Sequence, residues 1–413
     1  SYDNFMRPAS RTDSIEGAQY TASYSYNSKG DIDTIIYNSA VTVVNNYNEY
    51  GNPDEVRVNN QTIWSANSMN RYGIINNYTL GNQSVTSIVH DSYGLPDSIL
   101  TVKNGTYLQR WNYDFNPSTG NLTSRKGLTS PGGFVEENFT YDNLDRLTSY
   151  FNVLDTINIS YDSSGTGNIT EKTDVGEYDY TGGLHNVSSI LNPTEFMQTL
   201  PVHHAEYSEL NKLEYLYDSL NTGEERKLYL NYGTDEQRVK TVYTVDNDTI
   251  KTKFFALGSY EKEIDQNNNI KEFYYISGPS GIVAVLQRSN SQDSIFYVHT
   301  DHLGSWDVVT DWNGAIRDRY NFDPWGRRRN PSDWSYNTDT LNYFFDRGYT
   351  GHENLDWFNL INMNGRIYDP LLATFLSPDN FIQAPDLTLN FNRYTYCLNN
   401  PLKYTDPDGE FPW

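Results

Sequence analysis

Polar and apolar residues alternate along short stretches of this chain, and clusters of Gly, Asn, Asp and Pro separate the stretches. Ala22-Ser23-Tyr24-Ser25-Tyr26 alternates cleanly, and Val239-Lys240-Thr241-Val242-Tyr243 does so in part. A two-residue period sends successive side chains to opposite faces of a strand. The 3.6-residue period of a helix is scarce; the best helical candidate runs from Glu206 to Leu220. The punctuation between strands recurs as a unit. Tyr26-Asn-Ser-Lys-Gly30, Tyr47-Asn-Glu-Tyr-Gly51, His90-Asp-Ser-Tyr-Gly94 and Tyr161-Asp-Ser-Ser-Gly165 share an aromatic ring or His, then Asp or Asn, then Gly. Tyr113-Asp-Phe-Asn-Pro-Ser-Thr-Gly120 is a longer version, and Tyr141-Asp-Asn-Leu-Asp145 ends on Asp. The spacing, mostly about 20 to 45 residues, is that of a repeat architecture. Each unit reads as a hairpin turn, in which Asp or Asn caps the bend and Gly takes a positive φ. Tyr at the strand exit packs across the pair. The pattern predicts an all-β strand-turn array curved into a spiral or partial barrel wall. Gly30, Gly51, Gly94 and Gly165 should then lie outside helices.

Composition sharpens this picture. The chain has 413 residues, only 37% of them hydrophobic, and 35 of those are Tyr. So few aliphatic side chains cannot build a large oily core. An extended sheet whose Tyr rings pack together while their hydroxyls reach partners is the alternative that fits. A net charge of −23 disfavours nucleic acid and anionic membrane as partners, since both attract cationic surfaces. One cysteine, Cys397, excludes an intrachain disulfide and a four-cysteine zinc site. No apolar run reaches the roughly 18 residues of a membrane span. The Asn-x-Ser/Thr triplets at Asn82, Asn104, Asn138 and Asn158 read as chance matches. The chain opens at Ser1 with neither Met nor a signal peptide, so the expectation is a piece of a longer protein with its targeting segment elsewhere.

The C-terminal stretch carries the most specific residues. It contains His299-Thr-Asp-His-Leu-Gly-Ser305, Tyr320-Asn-Phe-Asp-Pro-Trp-Gly-Arg327 and Thr350-Gly-His-Glu353. Gly365-Arg-Ile-Tyr-Asp-Pro370, Phe375-Leu-Ser-Pro-Asp379, Asn392-Arg-Tyr-Thr-Tyr-Cys-Leu-Asn-Asn-Pro401 and Asp406-Pro-Asp-Gly409 follow in order. In this set and order the residues from about 295 to 413 resemble the RHS repeat-associated core domain, and the upstream units resemble the YD repeats of the same RHS family. The resemblance implies a bacterial polymorphic toxin, secreted or at the cell surface. Its YD-repeat strands would wind into a spiral β-shell around a C-terminal effector, closed by the core as a plug. The expected division is 1–278 for the repeat shell, with an irregular insertion near 193–205, and 279–413 for the core.

The family also implies an autoprotease of the aspartic type that cuts once, just beyond the Asp-Pro-x-Gly run, here at Glu410–Phe411 or one bond later. Its two aspartates fall on Asp379 and Asp406. Two carboxylates held close do not both ionise readily, so one can activate water while the other polarises a carbonyl. The residues alone leave a second reading open, in which each Asp caps its own turn. The family usually reads Leu-Gly-Arg-Phe before the first Asp and Pro after it. Here Leu372-Ala373-Thr374-Phe375 precedes it and Asn380 follows. The supporting Arg is missing from that place, and Arg366 or Arg393 is expected to substitute.

Trp306, Trp312, Trp325, Phe345 and Phe375 should supply most of the core's apolar packing. His299, Asp301 and His302 have metal-ligand side chains, but the family motif is a shell-closing turn. His203-His204 reads as an exposed loop pair, and Arg327-Arg328-Arg329 as a cluster facing water or acidic surface. No cofactor and no metal is expected, and no nucleotide-binding or hydrolase motif appears. Two functions remain. One is a delivery shell that encloses an effector and releases it, with secretion machinery as a further partner. The other is a non-enzymatic cell-surface module whose Tyr and Asn side chains bind carbohydrate or a neighbouring cell.

Overall fold

The computed structural model describes residues 1–129, 132–151, 155–219, 223–290, 292–337, 342–382 and 386–410. Its first sheet has 17 strands between Ser10 and Leu191. Each pairs antiparallel with the next in sequence, so the sheet is an uninterrupted meander. Eleven strands from His204 to Arg319 form a second meander built the same way. A third sheet of four short strands lies between Glu353 and Phe375. The second sheet runs unbroken through the hairpin of Ile270–Gly278 and Gly281–Ser289. Between the two large sheets sits a helix of one turn and a half, Glu195–Thr199, whose Thr194 hydroxyl accepts from the Met197 amide.

The recurring turn explains the meander. Asn27 Oδ1 accepts from the amides of Lys29 and Asp31 at 2.8 and 3.0 Å, and Gly30 follows at φ 96°. Asn48, Asp91 and Asp142 make the same pair of bonds two and four residues ahead. Gly51, Gly94 and Gly165 also have positive φ, and Asp145 takes φ 60° where the other units have Gly. Tyrosines at the strand exits have their own task. Tyr47, Tyr141, Tyr161, Tyr180 and Tyr232 donate their hydroxyls to the carbonyls of Ile32, Leu122, Leu147, Ile169 and Leu213, at 2.7–3.0 Å. Each acceptor is the first residue after the preceding turn on the same edge. Neighbouring turns are thereby tied together, which Phe could not do.

Glu206 to Leu220 is not helical. It forms the strands His204–Tyr207 and Leu213–Ser219 around another copy of the turn, and Leu220 lies outside the described residues. Here Ser208 Oγ replaces the Asp or Asn cap, accepting from the Leu210 and Lys212 amides, and Asn211 takes the positive φ. With a hydroxyl for a carboxylate the unit escapes a pattern written in Asp, Asn and Gly. The C-terminal motifs reuse the turn as well. Asp301 Oδ1 accepts from Leu303 and Ser305 before Gly304, and Asp323 Oδ1 from Trp325 and Arg327 around Gly326.

The sheets curve into a shell whose facing walls meet at one end and are closed by the C-terminal segment at the other. Val43, Val56 and Trp64 of the first sheet cluster with Tyr260, Tyr274 and Tyr297 of the second. Farther along, Leu122, Phe139, Tyr150 and Tyr178 pack on Trp325, Tyr368, Phe375 and Tyr396 of the closing segment. Leu216 and Leu228 of the second sheet meet its other side at Phe358 and Leu360. Trp306, Trp325, Phe345 and Phe375 are buried as expected. Trp312 is not: it is 43% exposed, because Asp311–Gly314 is a turn and places the indole at its tip, against the edge of Tyr297.

Two buried ionic clusters fasten the segment to the walls. Glu137 binds Arg125 and Arg329, and Arg125 and Arg329 both donate to the Phe322 carbonyl at 2.8 Å. Lys253 Nζ reaches Glu353 at 2.6 Å, Asp346 at 2.7 Å and Glu261 at 3.2 Å, while Arg238 also binds Glu353 and Arg347 binds Glu261. The arginine run is therefore not a solvated cluster. Arg329 is 1% exposed, and Arg328 and Arg327 pair with Asp356 and Asp174.

Candidate functional site

The closing segment ends on Asp406-Pro-Asp-Gly409, and its path is held from both sides. Gly409 has φ 73°, and a Cβ there would lie 2.4 Å from the Met363 carbonyl oxygen. Gly365 donates its amide to Asp408 O at 2.7 Å, and the Asp408 side chain accepts from the Glu410 amide at 3.0 Å. His352 Nε2 lies 2.9 Å from Asp406 O. No residue but glycine fits position 409 without displacing backbone.

Arg366 gathers the site. Its Nε donates to Gly409 O at 2.5 Å and its Nη1 to Arg393 O at 2.9 Å. A single nitrogen, Nη2, faces both aspartates, 3.2 Å from Asp406 Oδ2 and 3.5 Å from Asp379 Oδ2. The guanidinium plane lies over Phe375 at 3.7 Å. Of the two arginines available by sequence, Arg366 stands between the carboxylates. Arg393 instead braces the backbone: it donates to Asp379 O at 2.8 Å while its own carbonyl accepts from the Asp379 amide at 2.9 Å. Asp379 also caps its own turn, accepting from the Phe381 amide at 2.8 Å through Oδ1. For Asp379 the turn cap and the approach to Arg366 are both present, on different oxygens of one side chain.

The electrostatics suit a proton-carrying group. Burial raises the Asp379 carboxyl above its ordinary value, against the pull of Arg366. Burial likewise lowers Arg366, although both aspartates oppose it. A cavity of about 10 Å³ between Lys212, Gly365, Arg366, Asp379 and Glu410 has room for about one water. Glu410 lies at its mouth; Phe411, the other half of the expected cut, lies outside the described residues.

The remaining sequence candidates sort differently. His299 Nε2 lies 3.2 Å from Thr310 Oγ1, and His302 Nε2 lies 3.3 Å from Leu402 O. Asp301 caps its turn. Among the described residues no group of three His, Cys, Asp or Glu side chains is placed to hold a metal ion. His203-His204 is a loop pair only in part: His203 precedes the strand, while His204, exposed as expected, opens the strand His204–Tyr207. His204 stacks on Tyr217 at 4.6 Å, while His203 lies against Phe358. Sequence reading missed Glu137, Lys253, Glu353 and Lys212. For Glu137 and Lys253 the signal is a charge on an inward strand position, two residues before Phe139 and Phe255.

Three buried histidines make stability fall in acid. Burial pushes His299 and His302 down to about 3 and His352 to about 4. The unfolded chain takes up these protons near the ordinary 6.5, so it binds more protons than the native state between there and the folded values. Stability is complete above 6.5 and drains away below it. Burial raises Asp307 and Asp369 to about 6 and also raises Asp218, Asp301, Asp356 and Asp379, which works in the opposite sense as they protonate. On the other side His185 and His203 are lowered by burial as well, and, against burial, Glu137, Glu261 and Glu353 are held below their ordinary value by their cationic partners, so both sets add to the loss in acid. The thermal midpoint should drop between pH 7 and pH 4.5. A midpoint that rises over that range contradicts the burial of the histidines.

No family model matches the chain. It is 23% identical over 294 residues to the tRNA3(Ser)-specific nuclease WapA of Bacillus spizizenii, covering 70% of this chain and 10% of the relative. The tRNA nuclease WapA of Bacillus subtilis is 22% identical over 294 residues, again 70% of this chain and 10% of the relative. The chain therefore spans about a tenth of the length of these relatives. Among solved structures, TcdB2-TccC3 without its hypervariable C-terminal region superposes with a TM-score of 0.80 at 16% identity, covering 99% of this chain and 23% of that one. A Photorhabdus luminescens Tc holotoxin pore gives a TM-score of 0.73 at 16% identity, over 96% of this chain and 21% of that one. The β-shell fold is common to this chain and these structures.

Proposed function

We propose that this chain is the shell and plug of an RHS-type toxin, enclosing an effector polypeptide that continues beyond Glu410 and freeing it by cutting its own backbone at Glu410–Phe411. The observation that carries the reading is the meeting of Asp379 and Asp406 on one nitrogen of Arg366, whose Nε also holds the carbonyl of Gly409. In the cut, water oxygen bonds to the Glu410 carbonyl carbon, the C–N bond to residue 411 breaks, and the departing amine takes the proton that Asp379 removed from the water. Asp379, raised by burial, is the base that takes the water's proton. Arg366, paired with Asp406, holds the Gly409 carbonyl one residue upstream of the cut. The similar WapA proteins are tRNA nucleases and the similar Photorhabdus luminescens assembly is a Tc holotoxin pore, which agrees with such a shell acting outside the cell that makes it.

The test is a chain extended by its natural downstream sequence, followed on a gel beside its Asp379→Asn and Asp406→Asn versions. Cleavage of the wild type that both substitutions abolish is expected. Cleavage that survives both removes the aspartates from the mechanism.

One observation favours a second reading, a surface that binds carbohydrate. Tyr50, Tyr72 and Tyr93 occupy the third place of their turns and are 70–80% exposed, as platforms for sugar rings would be. Retention on insoluble polysaccharide, lost when all three become Ala, would support it.

A further inference from the structure

Glu410 reaches into a slot whose far wall belongs to the second sheet. Lys212, at the end of the turn that opens the strand Leu213–Ser219, places its Nζ 3.0 Å from Glu410 Oε1 and 3.2 Å from Gly365 O. The Lys212 side chain is 5% exposed, and among the described residues no other carboxylate lies within 4.0 Å of its Nζ. An ammonium so deeply buried demands a partner. The near wall is Gly365, where a Cβ would fall 2.5 Å from Glu410 Cγ. Gly365 does not have a positive φ, so the glycine there is a matter of space: a Cβ would also lie 2.8 Å from Asp408 O and 3.0 Å from Gly409 O, and a side chain would displace both the passing backbone and the Glu410 side chain.

We propose that Lys212 and Gly365 form a recognition slot for an acidic side chain at the residue just before the scissile bond. The inference rests on the reading that the chain cuts itself after Glu410. Lys212 is then a positioning residue. It touches no reacting atom, but it draws the Glu410 side chain to one wall while Arg366 holds the Gly409 carbonyl from another. A cationic residue at 410 would be repelled by both Lys212 and Arg366, and a β-branched one would crowd Gly365.

The experiment uses the chain extended by its natural downstream sequence and compares cleavage rates of the wild type, Lys212→Glu, Glu410→Lys and the double exchange. Each single reversal should slow cleavage about tenfold or more, the loss expected for one charge-assisted hydrogen bond. The double exchange should recover most of the rate, which a purely structural role for Lys212 would not produce. Singles that cut at the wild-type rate, or a double exchange no faster than the slower single, overturn the slot. A wild type that never cuts overturns the self-cleavage reading instead. The slot is then judged by amide hydrogen exchange of residues 405–413 in the same four proteins. Protection lost in both singles and regained in the exchange upholds it; equal protection in all four overturns it.

Discussion

Glu137→Ala should destabilise the folded chain by about 3–5 kcal/mol, the cost of breaking a buried ion cluster by removing one member. Glu137 is fully buried, with Oε1 2.7 Å from Arg329 and Oε2 2.8 Å from Arg125. Burial works against its ionisation, but Arg329 and Arg125 outweigh burial and hold the carboxyl below its ordinary value. Without it two guanidiniums, 1% and 4% exposed, would share the Phe322 carbonyl with no carboxylate between them among the described residues, Arg329 keeping a neutral acceptor in Asn321 Oδ1. Urea unfolding monitored by Trp fluorescence measures the loss. Replacing all three members with apolar residues of similar volume should restore most of it, since the desolvation cost disappears with the charges. A single substitution that leaves the midpoint unchanged would mean that the closing segment is not fastened there.

Trp325→Ala should cost about as much, roughly 3–5 kcal/mol, through the cavity it leaves. The ring is fully buried, and its indole N–H has no hydrogen-bond partner among the described residues, so it contributes by packing alone. Its backbone is pinned by Asp323, whose Oδ1 accepts the Trp325 amide at 2.9 Å. The surroundings therefore cannot collapse far into the void. Trp325→Phe should lose much less. Equal losses for Phe and Ala would show that the site relaxes around either ring.

The turn chemistry was written plainly in the chain, and the alternating strands with it. Cap and positive-φ residue are local requirements, so Asn27 and Gly30 declare themselves without tertiary context. Even Asp145 could be placed, because Asp tolerates the left-handed region better than most residues. Ser208 and Asn211 show the limit: the same turn made from weaker formers reads as the best helix of the chain. Long-range matters were less visible. Arg329 looks solvated in sequence because nothing local shows that Glu137 waits 192 residues away. Trp312 looks like core because aromatic rings usually are, yet its turn lifts it out. Asp379 and Asp406 were found through motif resemblance and an arginine was expected beside them, whereas the choice of Arg366 over Arg393 follows only from a fold that brings Gly365, Pro378 and Glu410 around one small cavity.

The most direct measurement is the intact mass of the chain expressed with its natural downstream sequence. The account expects two species, a shell ending at Glu410 and a released fragment beginning at Phe411. In the Asp379→Asn version a single uncut mass is expected. A wild type of one uncut mass, or a fragment that begins elsewhere, contradicts it.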